Sequence, residues 1–187
     1  MKKEKFLPLM LLLVLAFAGC DNGSTTEADI WSDVTSKNQL NGKWKGQYSE
    51  TMTIKQLMEE EDAWDPTLES LLGGITVTVT ANLTAVVSAA NQTLSIDMIV
   101  TQKYSGGNIK MAWFGISPIL IARGYEVDNK NYSATIKTQA LPETTFTDDE
   151  VADVLNSGLK INQHGTRLLI PEDFMGYGLS QMIFTKQ

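Results

Sequence analysis

The chain has 187 residues, a formal net charge of −7 and 43% hydrophobic residues. This length is typical of one domain with short appendages, and the ordinary composition argues against wholesale disorder and against a polytopic membrane protein. A single cysteine cannot form an internal disulfide, which excludes a disulfide scaffold. The acidic balance argues against nucleic acid as a partner, because phosphates require a basic surface.

The amino terminus predicts a cleaved secretory signal. Three lysines lie within the first five residues, and an apolar run from Phe6 to Ala18 follows them. This run is shorter than the roughly 20 residues of a membrane-spanning helix, and it fits the apolar part of a signal peptide. We therefore expect residues 1–19 to be removed, which would leave a net charge of −9 on the rest.

The signal ends in Phe17-Ala18-Gly19-Cys20, where small residues directly precede the only cysteine. This segment resembles the lipobox of bacterial lipoproteins. The resemblance implies that Cys20 carries a diacylglyceryl group and an acyl chain such as palmitate. The mature protein would then be anchored by lipid to a membrane of the cell envelope, the outer membrane or cell surface rather than the inner membrane, and face the periplasm or the exterior. The alternative is a buried structural cysteine beside an ordinary signal peptide.

The residues after the cysteine predict a tether and then a single domain. Residues 20–39 are rich in Ser, Thr, Asp, Asn and Gly, which is typical of a flexible segment, although Ile30 and Trp31 could dock on the domain. The folded part is expected to span residues 40–187.

Alternating apolar and polar residues predict a mainly β domain. Ile75 to Ala81 alternates without a fault, and Leu94 to Met98 and Leu159 to Asn162 follow the same pattern. Turn residues at His164-Gly165 predict a hairpin, and those at 105–108 predict another, with a strand over 109–116 as its second arm. Short turns between consecutive strands favour antiparallel pairing.

Short helices are predicted at two places. Two lie between the first strand, at about residues 42–53, and the strand at 75, with Asp65 and Pro66 at the start of the second helix. The other is expected at 148–156, because Thr147 and Glu150 have the spacing of a capping box.

The sequence offers little support for an enzyme. His164 is the only histidine and lies in a predicted turn, so a solvated hairpin tip is favoured over a catalytic base. With Cys20 used by the anchor, no zinc site can be assembled, and the acidic runs fit solvated helical segments. A pair of distant acidic residues could still meet in the fold, but nothing in the sequence selects one. No cofactor or metal is expected.

Gly42-Lys43-Trp44 opens the first predicted strand of the sheet. This Gly-x-Trp resembles the opening motif of the lipocalins, members of the calycin group, and of lipocalin-like bacterial domains. The resemblance implies a closed antiparallel barrel, with Trp44 at its floor beneath a basic residue of a late strand, for which Arg167 is the better of the two arginines. The two helices after the first strand resemble those that cap the barrel of fatty-acid-binding proteins.

The lipocalin-like barrel implies that a small apolar or amphiphilic ligand binds inside it without a covalent step. Its walls would come from the apolar sides of the strands, and the cap from the helix pair. The candidate ligand-binding residues are Met98, Met111, Trp113, Leu57, Met58, Leu71 and Leu72, with Ile75, Val77, Val79, Leu94 and Ile96 as further wall positions. The alternative is a non-catalytic interaction or structural protein with a filled β-core that binds another protein, and an exposed apolar patch would favour it.

Overall fold

The fold is described from a computed structural model that covers residues 29–60, 67, 69–172 and 181–187, with side chains omitted at 58–60. The predicted lipid-attachment residue Cys20 and the predicted helix start at Asp65 and Pro66 lie outside the described residues.

Nine strands of the described chain form one antiparallel sheet, with the order β1-β7-β8-β9-β2-β3-β4-β6-β5. They are β1 (Trp31–Asp33), β2 (Gly42–Thr53), β3 (Ile75–Ser88), β4 (Thr93–Gly106), β5 (Glu126–Asp128), β6 (Ser133–Thr145), β7 (Lys160–Asn162), β8 (Arg167–Ile170) and β9 (Met182–Lys186). The predicted mainly β, antiparallel class is therefore confirmed. The order has two ends in the described residues, so the sheet is not closed and the predicted barrel is not confirmed.

Five helices accompany the sheet in the described part of the chain. They are α1 (Lys37–Leu40), α2 (Ile54–Glu60), α3 (Glu69–Leu72), α4 (Ile109–Ala122) and α5 (Asp148–Leu155). The predicted pair after the first long strand corresponds to α2 and α3, and the predicted helix near 148–156 is α5. The capping box that predicted α5 is present, since Thr147 and Glu150 satisfy each other's backbone N–H groups.

Backbone contacts divide the chain into two compact units. Unit 1 comprises the described residues of Met1–Tyr48, Asn82–Met98 and Gln139–Gln187, and unit 2 comprises those of Ser49–Ala81 and Ile99–Thr138. Unit 1 therefore contains α1, α5 and the strands β1 and β7 to β9. Unit 2 contains α2, α3, α4 and β5.

The prediction of a strand over 109–116 is wrong, because this segment forms the first half of α4. Two glycines with positive φ, Gly106 and Gly107, end β4 immediately before it. An apolar run without alternation is compatible with a buried strand and with a buried helix, so the apolar content alone did not distinguish them. Met111 and Trp113, predicted to line a cavity from a strand, are therefore helical residues.

The alternation in β3 separates a dry face from a wet face, as predicted. Ile75 and Val77 are fully buried. Thr76, between them, pairs through its hydroxyl with Ser105, and Thr78, directly after Val77, pairs with Thr51 at 2.8 Å. The hydroxyl side chains of the wet face thus bond across neighbouring strands, while the apolar side chains form the core of unit 2.

The described chain is fixed to unit 1 from Asp29 onward, well before the predicted end of the tether at residue 39. β1 pairs with β7, with Trp31 opposite Asn162. The backbone of Ile30 accepts a hydrogen bond from the N–H of Gln163, and its own N–H donates to the Gln163 side chain. α1 follows with a capping box from Ser36. The docking considered for Ile30 and Trp31 thus takes the form of strand pairing.

A change from Gly107 to Ala is expected to destabilise unit 2 by about 2–3 kcal/mol. Its φ of +48° is unfavourable for a residue with a Cβ, and that Cβ would lie 2.8 Å from the Gly73 carbonyl oxygen. Gly115→Ala is the matched control, because its Cβ would meet nothing within 4 Å and Ala is the better helix former. Urea unfolding of both variants checks this, and equal midpoints would contradict it.

Candidate functional site

The exposed side of α4 is the most unusual surface of the described residues. The side chains of α4 itself are apolar on nearly every side, and Lys110 is its one charged residue. One side is buried through Ala112, Trp113 and Leu120. The other side is exposed and still apolar, and exposed apolar patches are common at sites of interaction.

Helical periodicity places the exposed apolar residues on one side. The fractional exposure is 67% for Met111, 82% for Phe114, 57% for Ile119 and 59% for Ile121. Gly115 and Pro118 lie on the same side and are also exposed. We call these six residues the apolar face of α4. It carries no side-chain hydrogen-bonding group.

Three aromatic rings hold the opposite side of α4 against the rest of unit 2. The Trp113 ring lies 5.4 Å from the Tyr104 ring and 5.7 Å from the Tyr132 ring, the second in an edge-on arrangement. Such tilted contacts are favourable for aromatic quadrupoles. Because Trp113 and Tyr104 are buried, they fix which side of the helix is presented outward.

The polar groups of the two buried rings in this cluster, Trp113 and Tyr104, are hydrogen-bonded. The Trp113 Nε1–H donates to Asn129 at 2.8 Å, and the Tyr104 hydroxyl donates to the buried Gln102 at 2.6 Å. Burial, and secondarily the nearby Tyr125, raises the pKa of the Tyr104 hydroxyl above its ordinary value. Tyr104 therefore stays neutral over the physiological pH range.

The Asn129 acceptor lies in the turn between β5 and β6, which Asp128 organises. The side-chain amide of Asn131 donates to the Asp128 carboxylate at 2.6 Å, and the backbone N–H groups of Lys130 and Asn131 donate to it as well. These bonds, the side-chain bond first, lower the pKa of Asp128 below its usual range. The turn thereby positions the partner of Trp113.

α4 ends in a Schellman motif that fixes its last turn. The N–H of Tyr125 donates to the Leu120 carbonyl, and that of Gly124 donates to the Ile121 carbonyl. Gly124 has a φ of +87°, the left-handed conformation that this motif requires at its position. The helix therefore stops sharply after Ala122.

The charged residues at the ends of α4 are positive, although the chain as a whole is acidic. Lys110 lies at its start, Arg123 follows its last residue, and both are exposed. No Asp or Glu occurs within Ile109–Ala122, whereas the whole chain carries −7. The first acidic residue beyond the helix is Glu126, in β5. The apolar face is thus flanked by positive charge at both ends.

The predicted ligand-binding residues do not share one environment. Met98 and Trp113 are buried, whereas Met111 is exposed on the apolar face. Leu57, Leu71 and Leu72 are half-buried in α2 and α3. The side chain of Met58 lies outside the described residues. Of the candidates, α4 brings Met111 and Trp113 into one element, on opposite sides.

The Gly-x-Trp motif lies at the start of β2 in unit 1. Trp44 is 1% exposed, and its Nε1–H donates to the Leu40 carbonyl at 2.7 Å. The cation over its ring is Lys186 of β9, with Nζ 5.1 Å from the ring centroid. Arg167, the residue that the resemblance implied for this role, lies instead over Trp31 at 5.9 Å.

Arg167 takes part in a polar cluster that fastens the start of the described chain. Its guanidinium forms an ion pair with Asp29, whose carboxylate also accepts a hydrogen bond from the buried Asn162 amide. The Asn162 oxygen accepts from the backbone N–H groups of Thr166 and Arg167. This cluster is structural, since it closes the β7–β8 hairpin and holds Asp29.

The residues predicted from the sequence did not include Phe114, Ile119 and Ile121. The available signal was a 14-residue run with one charge, bounded by Asn108 and by Gly124 at the position of a helix-ending glycine. Interpreted as a helix, that run has no polar side to face water, which indicates a helix buried on every side, whether by its own protein or by a partner.

No group of three or more His, Cys, Asp or Glu in the described residues is placed to hold a metal ion. The helices of the same residues include none that is long and apolar enough to cross a membrane. Comparisons with known protein families, with curated proteins and with solved structures found no match to this chain.

Proposed function

We propose that this chain is a non-catalytic lipoprotein of the cell envelope that binds an apolar or amphiphilic partner through the apolar face of α4. Cys20 carries the lipid anchor in this proposal. The observation that supports it is the exposure of Phe114 on a face that also presents Met111, Ile119 and Ile121. Leaving these side chains in water is unfavourable, and burying one of them contributes about 1.5–3 kcal/mol.

The convex shape of the apolar face favours a partner with a broad surface over a small ligand. Small ligands bind in concave pockets that bury most of their surface, whereas one side of a helix is convex. The rigid aromatic cluster beneath α4 supports a preformed surface, because Trp113 is locked by two rings and one hydrogen bond. The proposal therefore places the binding site on the surface of unit 2.

Photocrosslinking in living cells tests this proposal. With p-benzoylphenylalanine in place of Phe114, ultraviolet light should join the full chain to its partner, whether that is a lipid, another protein or a second copy. The same residue in place of the exposed Lys137 on β6 is the control and should give far less product. Equal yields at the two positions would contradict the proposal.

A second candidate is a lipocalin-like barrel with an interior ligand. It is supported by the buried Trp44, which opens β2 beneath a basic residue of the last strand, an arrangement similar to that implied by the resemblance. Native mass spectrometry of the full chain from its own cells should then show a retained small molecule. Met98→Trp should remove it, whereas Ile99→Trp, at the neighbouring exposed position, should not.

A further inference from the structure

We infer that the partner of the apolar face of α4 is the surface of an anionic lipid bilayer. This inference rests on the proposed function and names the partner of the same site. The face would lie among the acyl chains near the headgroups, with α4 parallel to the membrane plane. Two features of α4 and one of the predicted lipid anchor support a bilayer rather than a protein.

The first feature is the chemistry and length of α4. Its apolar face offers two isoleucines, a methionine and a phenylalanine, and no group that requires a specific hydrogen-bonding partner. Burial in hydrocarbon satisfies such a face completely. At about 1.5 Å per residue, the 14 residues extend about 21 Å, which is shorter than the roughly 30 Å hydrocarbon core. α4 can therefore lie in the interface but cannot cross it.

The second feature is the charge at the two ends of the face. Lys110 and Arg123 are exposed, and long basic side chains beside an apolar helix face are typical of interfacial helices. Anionic headgroups attract them at about 1 kcal/mol for each basic residue. The remainder of this acidic chain is repelled by the same headgroups. The positive charge at both ends of α4 therefore favours contact through the apolar face.

The third feature is the short segment between the predicted lipid anchor at Cys20 and the point where the chain is fixed to unit 1. Asp29 follows Cys20 by nine positions, and the described chain is fixed there by the ion pair with Arg167. Fully extended, nine residues reach about 30 Å. An acylated Cys20 would thus hold unit 1 close to a bilayer, and this raises the effective concentration of lipid at the protein surface.

A nitroxide spin label on the apolar face tests the inference in the full, lipidated chain. Gly115→Cys provides the attachment point, because a Cβ there meets nothing within 4 Å. Acylation occupies the sulfur of Cys20, so the new thiol is the one that reacts. The protein is reconstituted into vesicles of phosphatidylcholine mixed with phosphatidylglycerol. Collisions of the label with oxygen, which concentrates in lipid, and with a water-soluble nickel chelate are measured by electron paramagnetic resonance.

We expect the label at 115 to collide with oxygen and to be protected from the nickel chelate. The same label at Lys137→Cys, on the exposed side of β6, should show the reverse. Replacing both Lys110 and Arg123 by Gln should lower the bilayer-bound fraction relative to the water-exposed fraction about thirtyfold, as two basic residues at about 1 kcal/mol each require. Vesicles of phosphatidylcholine alone should produce a similar loss.

Ile121→Ser and Ile30→Ser form a matched pair, because both remove an exposed isoleucine, of 59% and 71% exposure. Only the first should reduce the protection of the label. Full access of the nickel chelate in anionic vesicles would overturn the inference, and if Phe114 still forms a crosslink in cells, the proposed function survives with a protein partner. Spin–spin broadening between labels without lipid would also overturn it, because a second copy would then cover the face.

Discussion

Replacing Trp113 by Ala is expected to lower the free energy of unfolding by about 3–5 kcal/mol, the cost typical of removing a buried tryptophan. The side chain is 4% exposed and contacts the rings of Tyr104 and Tyr132. Its removal leaves a cavity beneath α4 and deprives the Asn129 oxygen of its donor. Urea unfolding followed by far-ultraviolet circular dichroism measures the change.

The neighbouring Phe114 supplies the control for this prediction. It is a large aromatic residue on the same helix, but it is 82% exposed, so Phe114→Ala should change the free energy of unfolding by no more than about 0.5 kcal/mol. Trp113→Phe should fall between the two, since it keeps a ring and loses the hydrogen bond. Equal effects of Trp113→Ala and Phe114→Ala would show that the aromatic cluster does not hold α4.

This contrast between adjacent residues also separates stability from binding. Trp113 faces the sheet and positions the helix, whereas Phe114 faces outward and is proposed to meet the partner. A change at Phe114 should therefore reduce binding while leaving the fold intact. A change at Trp113 should reduce both, because the apolar face is presented only while α4 is held in place.

The elements that the sequence predicted are those with local signals. The alternation in β3 identifies a half-buried strand because the side-chain period of two is visible within a few residues. The capping box of α5 identifies a helix start because Thr147 and Glu150 bond within one turn. Both signals depend on neighbours in sequence, so neither requires knowledge of the fold.

The first half of α4 was predicted as a strand because the apolar residues of this segment do not show the periodicity of a half-buried helix. A helix between a core and water shows one polar side, but α4 is apolar on both sides, so no period of 3.6 separates them. Pro118 within the run further argues against a helix interior. What distinguishes the segment is the closing motif at Gly124, whose hydrogen bonds become evident only in three dimensions.

Contacts between residues that are distant in the sequence account for the other differences between the predicted and the observed structure. Asp29 and Arg167 are 138 positions apart, and no local sequence pattern indicates that they pair. The tether was therefore predicted to continue to residue 39, whereas the chain is fixed ten residues earlier. The cation over Trp44 is likewise set by the register of β9 on β2, which places Lys186 opposite Trp44.

Replacing Trp44 by Ala is expected to lower the free energy of unfolding of unit 1 by about 3–5 kcal/mol. The indole is 1% exposed, one of the most completely buried large side chains in the described residues, and its N–H donates to the Leu40 carbonyl. Trp44→Phe should cost about 1–3 kcal/mol, because it keeps most of the apolar area but leaves that buried carbonyl without its donor. Chemical unfolding monitored by circular dichroism measures both changes.

Two further variants separate the contributions around the Trp44 ring. Lys186→Gln removes the cation 5.1 Å from the ring and should cost about 0.5–1 kcal/mol, the range for a cation–π contact at a partly exposed site. Lys45→Ala alters an exposed neighbour on the opposite side of β2 and should change stability by no more than about 0.5 kcal/mol. If Trp44→Ala costs no more than Lys45→Ala, then Trp44 does not anchor the start of β2. A loss of several kcal/mol would instead identify Trp44 as a major anchor of unit 1, because this one residue joins α1, β2 and β9.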